Sequence, residues 1–173
     1  MILLNKDELQ ERFKLLDEDA TLLFGDENRY HVIIAGGGAL VFMGYTSRAT
    51  TDIDVLDATR ALYDLFEKYQ MNGRIAAYEN SFLFNYPDRL KHLWSGEKID
   101  FYSVSLEDLI VSKLYAFRVN DRDDLKTAAP YVNWEKLERL VSSEDELRTL
   151  MMSENSYFYF THAYKEYIEE YKP

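Results

Sequence analysis

Cysteine is absent from this chain of 173 residues. Disulfides and thiolate metal sites are therefore excluded, and a reducing compartment is the natural setting. Long apolar runs are also missing, so the sequence offers no membrane-spanning helix, and its N-terminus lacks the pattern of a signal peptide. From these absences we expect a cytoplasmic protein with no membrane association.

Basic residues are fewer than acidic residues. The chain has 20 Lys and Arg against 31 Asp and Glu, a formal net charge of -11. This disfavours a general nucleic-acid binder, because phosphate backbones are held mostly by lysine and arginine. The charge favours a small nucleotide, a protein substrate or a folded RNA held at one end, and it also suits a basic partner, although an acidic surface for solubility is the simplest explanation. Residues for a local basic groove are Arg48, Lys113, Arg118, Arg122 and Lys126.

Histidine is rare too, and its spacing is uninformative. The three histidines, His31, His92 and His162, are too scattered to predict a zinc site. Hydrophobic residues make up 47% of the chain, which argues against disorder. The length fits one domain, or one domain with a helical appendage, with a real core.

Three of the seven glycines stand together at Gly36, Gly37 and Gly38, directly after the strand-like run Val32–Ile34. Glycine permits positive φ and lets another group approach the backbone closely. If the next residues, 39–43, are helical, their unpaired N–H groups favour an anion over the glycines. The pattern predicts a phosphate-binding turn, and the plainer alternative is a tight connection between strand and helix.

Two carboxylates follow on a second strand-like run, residues 52–56. Because strand side chains alternate, Asp52 and Asp54 point to one side and Ile53 to the other. Acids reach phosphate only through a cation, and magnesium binds a few carboxylates while bridging phosphate oxygens. Either motif alone would be weak, and the acids could be solvated surface charges. Their order on one strand–turn–helix–strand predicts magnesium-assisted work on a nucleotide.

The segment GGGALVFMGYTSRATTDIDV resembles the nucleotidyltransferase fold of the DNA polymerase β superfamily, which has a Gly-Gly turn followed by D-x-D on a strand. More narrowly, it resembles small stand-alone bacterial proteins related to the AbiEii toxins. In that group an R-x-T element precedes the acids, here Arg48 to Thr50. The thirteen residues between Gly38 and Asp52 are at the long end of the superfamily pattern. The glycine pair matches either at 36–37 or at 37–38.

The resemblance implies a third carboxylate on a neighbouring strand. Asp100, on the predicted strand 98–104, is the well-placed acid, as a metal ligand or as the base for an attacking hydroxyl. An exposed charge on an edge strand explains Asp100 equally well. Relatives in the narrower group do not always keep this acid.

A K-L-x-A element, here Lys113 to Ala116, also resembles the family, and contact of Lys113 with the nucleotide phosphates is the implied role. Lys113 lies near an apolar helical stripe, where a lysine is costly unless it reaches a charge. The alternative is an aliphatic stem on the core with its amine at the surface.

The stretch from Arg118 to Leu125 resembles the family's R-x-x-D-x-x-D-L element, with Asp121 and Asp124 as its acids. The functional interpretation places this cluster across a cleft from the glycine turn, with Arg118 near the phosphates. The alternative is a salt-bridged surface helix at 122–128 that Asp121 caps. Further helices are predicted at residues 6–16, 59–69, from Ser105, from Asn133, at 145–152 and at 157–171, and a further strand at 81–86.

Together these patterns predict an α+β protein: a nucleotidyltransferase-like core of mixed sheet and helices at 1–104 and a helical part at 105–173, packed as one compact unit. The predicted reaction moves a nucleoside monophosphate from a nucleoside triphosphate to a hydroxyl of RNA, such as tRNA, or of a protein, with Mg²⁺ or Mn²⁺. Since stand-alone relatives include toxins, the resemblance also implies a toxin role and a cognate antitoxin.

Two rival interpretations remain open. One is a nucleotide- or partner-binding module that kept the fold and lost turnover. The other is a dinucleotide-binding oxidoreductase, whose fingerprint wants a glycine three residues after Gly38, where Val41 stands. The missing glycine and the paired acids disfavour the second rival.

Overall fold

The computed structural model describes residues 2–74, 82–83 and 85–173. The chain divides into two compact units, Met1–Ala77 with Leu90–Val104, and Tyr78–Arg89 with Ser105–Pro173. The first unit contains a mixed β-sheet with helices, and the described part of the second is helical. The predicted α+β class is confirmed. No helix within the described ranges has both the length and the apolar character needed to cross a membrane.

The first unit is built on a sheet whose described strands number five, in the order β3-β2-β1-β5-β4. The central strand β1 is antiparallel to β2 and parallel to β5, while β3 and β4 form the edges. The predicted strands at 32–34, 52–56 and 98–104 are confirmed as β1, β2 and β5, whereas β3 and β4 were not predicted. The strands are β1 Tyr30–Ala35, β2 Ile53–Ala58, β3 Met71–Asn72, β4 Lys91–Ser95 and β5 Ile99–Ser103.

Helix α1, Lys6–Leu23, covers one face of this sheet. Asn5 begins it with the predicted cap, and its apolar side enters the core, where the Phe13 ring stacks on Phe101 at 4.2 Å between centroids. The helix runs seven residues beyond the predicted end at residue 16. Other helical segments of this unit include α2, Gly36–Met43, and a 3₁₀ helix, Arg60–Tyr69, where an α-helix was predicted.

A buried acid explains why α1 continues. The carboxylate of Asp17 accepts backbone N–H bonds from Glu97 at 2.9 Å, Lys98 at 2.9 Å and Ile99 at 2.8 Å. A Cβ on Gly96 would overlap that carboxylate, so the β4–β5 turn can approach Asp17 only with glycine there. Because three donors satisfy the charge, Asp17 is stable inside the unit and holds α1 to the turn.

Two of the described helices of the second unit begin at side-chain caps that the sequence predicts. Ser105 and Asn133 accept the N–H groups of Asp108 and Lys136 at 3.0 Å, as predicted. Part of the candidate strand at 81–86 lies outside the described residues, and Tyr86–Arg89 is a short 3₁₀ helix. The α-helices are α3 Leu106–Ala116, α4 Val119–Ala128, α5 Trp134–Val141, α6 Glu144–Leu150 and α7 Glu154–Tyr171.

The start of α4 differs from the prediction. Its N-cap is Arg118 rather than Asp121, which lies in the first turn and accepts the Arg118 N–H at 2.9 Å.

Aromatic residues of α7 belong to the core of the second unit. Phe160 and Tyr167 are buried, and the Tyr167 hydroxyl donates to the Leu125 carbonyl at 2.8 Å.

Candidate functional site

The glycine turn connects β1 to α2. The helix begins at Gly36, and its N-cap is Ala35, whose methyl side chain cannot accept a bond from the first N–H groups. Gly36 has φ +65°, a conformation that strongly favours glycine. The first turn of α2 therefore presents backbone N–H groups at the end of the central strand, which is the arrangement that favours an anion.

Asp54 lies directly against this turn. It is aligned with Ala35 in the β1–β2 pairing, and a Cβ on Gly36 would overlap its Oδ2 atom. The close approach explains why Gly36, with its positive φ, tolerates no side chain. The structure thus brings the predicted carboxylate Asp54 and the start of the predicted phosphate-binding turn together.

Arg48 and Thr50, the predicted R-x-T element, contact the same turn. The Arg48 Nη2 atom lies 3.0 Å and the Thr50 Oγ1 atom 3.7 Å from the position of a Cβ on Gly37. Thr50 is buried, its hydroxyl donates to the Asp52 carbonyl at 3.0 Å, and its backbone pairs with that of Leu4. A guanidinium therefore lies beside the first backbone N–H groups of α2, so two kinds of anion-binding group meet at the turn.

Asp52 lies one residue before β2. Its backbone carbonyl is 3.5 Å from the position of a Cβ on Gly38, so the third glycine lets the chain around Asp52 pack against α2. Asp52 also lines an open cavity of about 940 Å³ on the β3 side of the sheet. Within the first unit, the turn, the R-x-T element and both acids of D-x-D form one cluster, defined by Gly36–Gly38, Arg48, Thr50, Asp52 and Asp54.

Asp100 does not join this cluster. It is aligned with His31 near the start of β1, whereas Asp54 is aligned with Ala35 at its end. Four residues of strand separate the two levels by roughly 13 Å. The Asp100 carboxylate accepts two bonds from Arg29, at 2.8 and 3.0 Å, and these hold its pKa below the usual range. The structure therefore does not bring the predicted third carboxylate to the other two acids.

Lys113 is buried in the second unit, with its amine between two acids. It lies 3.1 Å from Asp121 and 2.8 Å from Asp124, and all three residues are at most 6% exposed. The predicted need for a charge partner is met inside the helical unit. The predicted alternative, an amine at the surface, is not what the structure has. Lys113, Asp121 and Asp124 are called the lysine triad below.

Arg118 extends the triad toward solvent. Its guanidinium Nε donates to Asp121 at 3.1 Å, and its backbone N–H donates to the same carboxylate. Burial alone would raise the pKa of Asp121, but the charge of Lys113 and the bonds from Arg118 outweigh it, so the net shift is downward. All four residues of the predicted K…R-x-x-D-x-x-D pattern are thus gathered in one place.

The chemistry of the donor set fits magnesium. Asp52 and Asp54 are hard oxygen donors, and in the described ranges no group of three or more His, Cys, Asp or Glu could hold a metal by itself. Magnesium is usually bound by one or two carboxylates, with water and substrate phosphates completing its shell. Asp54, beside the glycine turn, and Asp52, two residues earlier in the chain, match that requirement.

Sequence reasoning missed two residues next to the cluster. Asn72 follows the predicted helix at 59–69 and was given no role there, yet it lies on β3 aligned with Asp54. Leu4 was not considered, although its backbone holds Thr50 in place. A two-residue strand carries no periodicity, so only the Asn72–Gly73 turn signal could have drawn attention to this region.

Comparison with known families gives a match over nearly the whole chain. Residues 11–172 match the model of a family described as a nucleotidyltransferase of unknown function, DUF6036. The chain belongs to this family. The comparisons with curated proteins and with solved structures found no match.

Membership in the DUF6036 family agrees with the predicted nucleotidyltransferase-like class. The matched region includes the glycine turn, D-x-D and the lysine triad. A nucleotide is the substrate that this family description implies.

Proposed function

We propose that this DUF6036 protein transfers a nucleoside monophosphate from a nucleoside triphosphate to a hydroxyl group, with Mg²⁺ or Mn²⁺ as cofactor. The observation that carries the proposal is the contact of the Gly36–Gly37 backbone with the Asp54 carboxylate and the Arg48 guanidinium. Such a place suits a triphosphate, which needs N–H donors, a positive charge and a cation bridge to the acids.

Each part of the cluster has a distinct role in this proposal. The N–H groups of Gly37 and Gly38 orient the triphosphate, and Arg48 stabilises the negative charge that develops on the leaving pyrophosphate. Asp52 and Asp54 would hold magnesium, which would offset the charge of the triphosphate and make its α-phosphorus more open to attack. The acceptor oxygen forms a bond to the α-phosphorus as the bond to pyrophosphate breaks. The hydroxyl proton is released to solvent, because Asp100 lies elsewhere.

A catalytically silent nucleotide-binding module is the second candidate. It is favoured by Lys113, whose predicted contact with phosphates competes with two carboxylates at 3.1 and 2.8 Å. If Asp121 and Asp124 keep the Lys113 amine while a nucleotide is bound, Lys113 does not reach the phosphates. The role that the family resemblance implies for this lysine is then missing.

The proposed acceptor is a hydroxyl of RNA, such as the end of tRNA, or of a protein. With a net charge of -11 the protein is expected to hold RNA at one end rather than along its backbone. The narrower resemblance to AbiEii toxins leads us to propose growth arrest as the cellular effect and a cognate antitoxin as partner. Expression of the wild type should then slow growth, and the Asp54→Asn variant should not.

Thermal denaturation with magnesium and each nucleoside triphosphate tests the nucleotide site directly. The wild type should be stabilised, and Asp54→Asn should lose that response. Asp57→Asn is the matched control, because Asp57 lies on the same strand but bonds to His31 at 2.9 Å. Pyrophosphate release with tRNA or lysate then separates enzyme from silent module. Equal responses of Asp54→Asn and wild type would refute the proposed site.

A further inference from the structure

The two acids of D-x-D are held in place by different means. Asp54 lies inside the sheet, where β2 pairs with β1 on one side and with β3 on the other. Asp52 lies one residue before β2, outside the strand. Magnesium demands near-ideal octahedral geometry, so two carboxylates share one ion only if the backbone directs both of them toward it. Contacts other than strand pairing must therefore fix the backbone of Asp52.

Gln70 holds the peptide groups on both sides of Asp52. Its side-chain Nε2 donates to the Thr51 carbonyl at 3.1 Å, which belongs to the peptide that precedes Asp52. Its backbone carbonyl accepts the Ile53 N–H at 2.9 Å, which belongs to the peptide that follows, and the Thr50 hydroxyl bonds to that second peptide as well. A residue has two soft backbone dihedrals, and each rotates one of these planar peptides. Bonds to both peptides therefore fix the direction in which the Asp52 side chain leaves the backbone.

The side chain of Gln70 is itself oriented by further bonds. Its Oε1 atom accepts a bond from the Arg12 Nη2 atom of α1 at 2.9 Å, and its Nε2 atom also donates to the Ile2 carbonyl at 3.1 Å. One acceptor bond and two donor bonds define which end of the amide faces Thr51. The amide thus connects the D-x-D segment to the N-terminal residues and to α1, all within the first unit.

The backbone conformation of Gln70 is unusual for a glutamine. It has φ +57° and ψ +32°, in the left-handed region, at the end of the 3₁₀ helix Arg60–Tyr69. Glycine or asparagine usually takes this conformation at the end of a helix, because a Cβ there is strained. Strained backbone persists only where the surrounding structure requires it, and it concentrates at functional sites. Here the strained residue is the one whose side chain and carbonyl both hold Asp52.

We propose that Gln70 is a positioning residue of the magnesium site, which fixes Asp52 so that its carboxylate and that of Asp54 bind the same ion. The inference rests on the proposed function, which supplies the metal. In this role Gln70 acts through Asp52 rather than by contact with the ion. Replacing a residue that orients a metal ligand typically lowers metal affinity by about 10- to 100-fold.

Gln70→Met and Gln70→Gly are the test variants. Methionine keeps the length of the side chain and removes the amide, while the backbone stays in the left-handed region. Glycine removes the same amide and relieves the backbone strain. Gln10→Met is the matched control, since Gln10 is a partly buried glutamine of α1.

Binding of Mn²⁺ is measured through the EPR signal of the free ion, with and without each nucleoside triphosphate, and stability is measured by urea denaturation. We expect both Gln70 variants to bind Mn²⁺ about tenfold more weakly than wild type, and Gln10→Met to bind it normally. Because glycine suits the left-handed conformation, Gln70→Gly should keep more stability than Gln70→Met. Metal affinity lost without a matching loss of stability indicates positioning. Wild-type Mn²⁺ affinity in Gln70→Gly would instead make Gln70 a structural helix end and overturn the proposal.

Asp54→Asn separates this inference from the proposed function. If Asp54→Asn binds Mn²⁺ more weakly than wild type while both Gln70 variants bind it like Gln10→Met, the metal site stands and the role of Gln70 is overturned. If wild type binds no Mn²⁺ with or without a triphosphate, the proposed function fails, and the positioning role fails with it. Faster hydrogen exchange of the Ile53 amide in Gln70→Met would then show that Gln70 supports the backbone alone.

Discussion

The glycine-turn cluster and the lysine triad were both predicted from family motifs to serve a nucleotide, and their charges are arranged in opposite ways. D-x-D places two charges of one sign two residues apart, beside backbone N–H groups. The triad contains its own cation, with Lys113 within 3.1 Å of Asp121 and Asp124, and is buried. A buried motif that includes its counter-ion can be complete within the protein, whereas the half-buried acids of D-x-D, with the exposed Arg48 in the same cluster, remain accessible to a ligand.

Removing the cation of the triad should have the largest effect. Lys113→Met removes the cation that two buried carboxylates share, and we expect a loss of about 3–5 kcal/mol in the free energy of unfolding. Urea denaturation measures it, with the exposed Lys126→Met as control. A variant that stays as stable as wild type but no longer binds triphosphate would instead assign Lys113 to the phosphates, and the contrast between the two regions would disappear.

A side chain in the glycine turn should lower stability less than Lys113→Met does, but it should weaken triphosphate binding more. Gly36→Ala puts a side chain in the left-handed region, at about 1–2 kcal/mol, and its Cβ would displace the Asp54 carboxylate. We expect the stabilisation by magnesium and triphosphate to be lost in thermal denaturation, while Gly25→Ala keeps it. If Gly36→Ala responded like wild type, the contact between turn and acid would have no part in binding.

Acid should weaken the triad through Asp121. Its pKa is below the ordinary value of 3.8 because Lys113 and Arg118 outweigh the effect of burial. A depressed carboxylate pKa gives stability that is full above the unfolded pKa and is lost as the pH falls through the folded one. Unfolding free energies measured between pH 6 and pH 2 should therefore fall less steeply below about pH 4 for Asp121→Asn than for wild type. If the unfolding free energies of Asp121→Asn and wild type fell in parallel with pH, this charge pair would contribute no pH-dependent stability.

The smallest effect is expected for Asp100→Asn. The Arg29–Asp100 pair is partly exposed and screened, so its loss should cost about 1 kcal/mol or less. Because Asp100 lies at the other end of β1, magnesium and triphosphate should stabilise this variant as they do wild type. Loss of that response would restore Asp100 as the third carboxylate.

Local patterns predicted the elements of the cluster, and non-local pairing decided the rest. The spacing of apolar residues and glycines was enough to predict β1, the turn and β2. The position of Asp100 depends on the register between β5 and β1, which no local pattern reveals. The partners of Lys113 depend on how α4 packs, and strand β3 is too short for periodicity. No local pattern indicates that Asp17 is buried, because its three donors come from residues 80 to 82 positions later.

The Asp17 contact also determines when the first unit can complete its fold during synthesis. During synthesis α1 is made first, yet the N–H groups that satisfy its buried acid belong to Glu97, Lys98 and Ile99. Until the ribosome has released those residues, the nascent first unit lacks both this clamp and strand β5, the parallel partner of β1. Its completion must wait for more than half of the polypeptide, and contacts so distant in sequence are characteristic of slow folding.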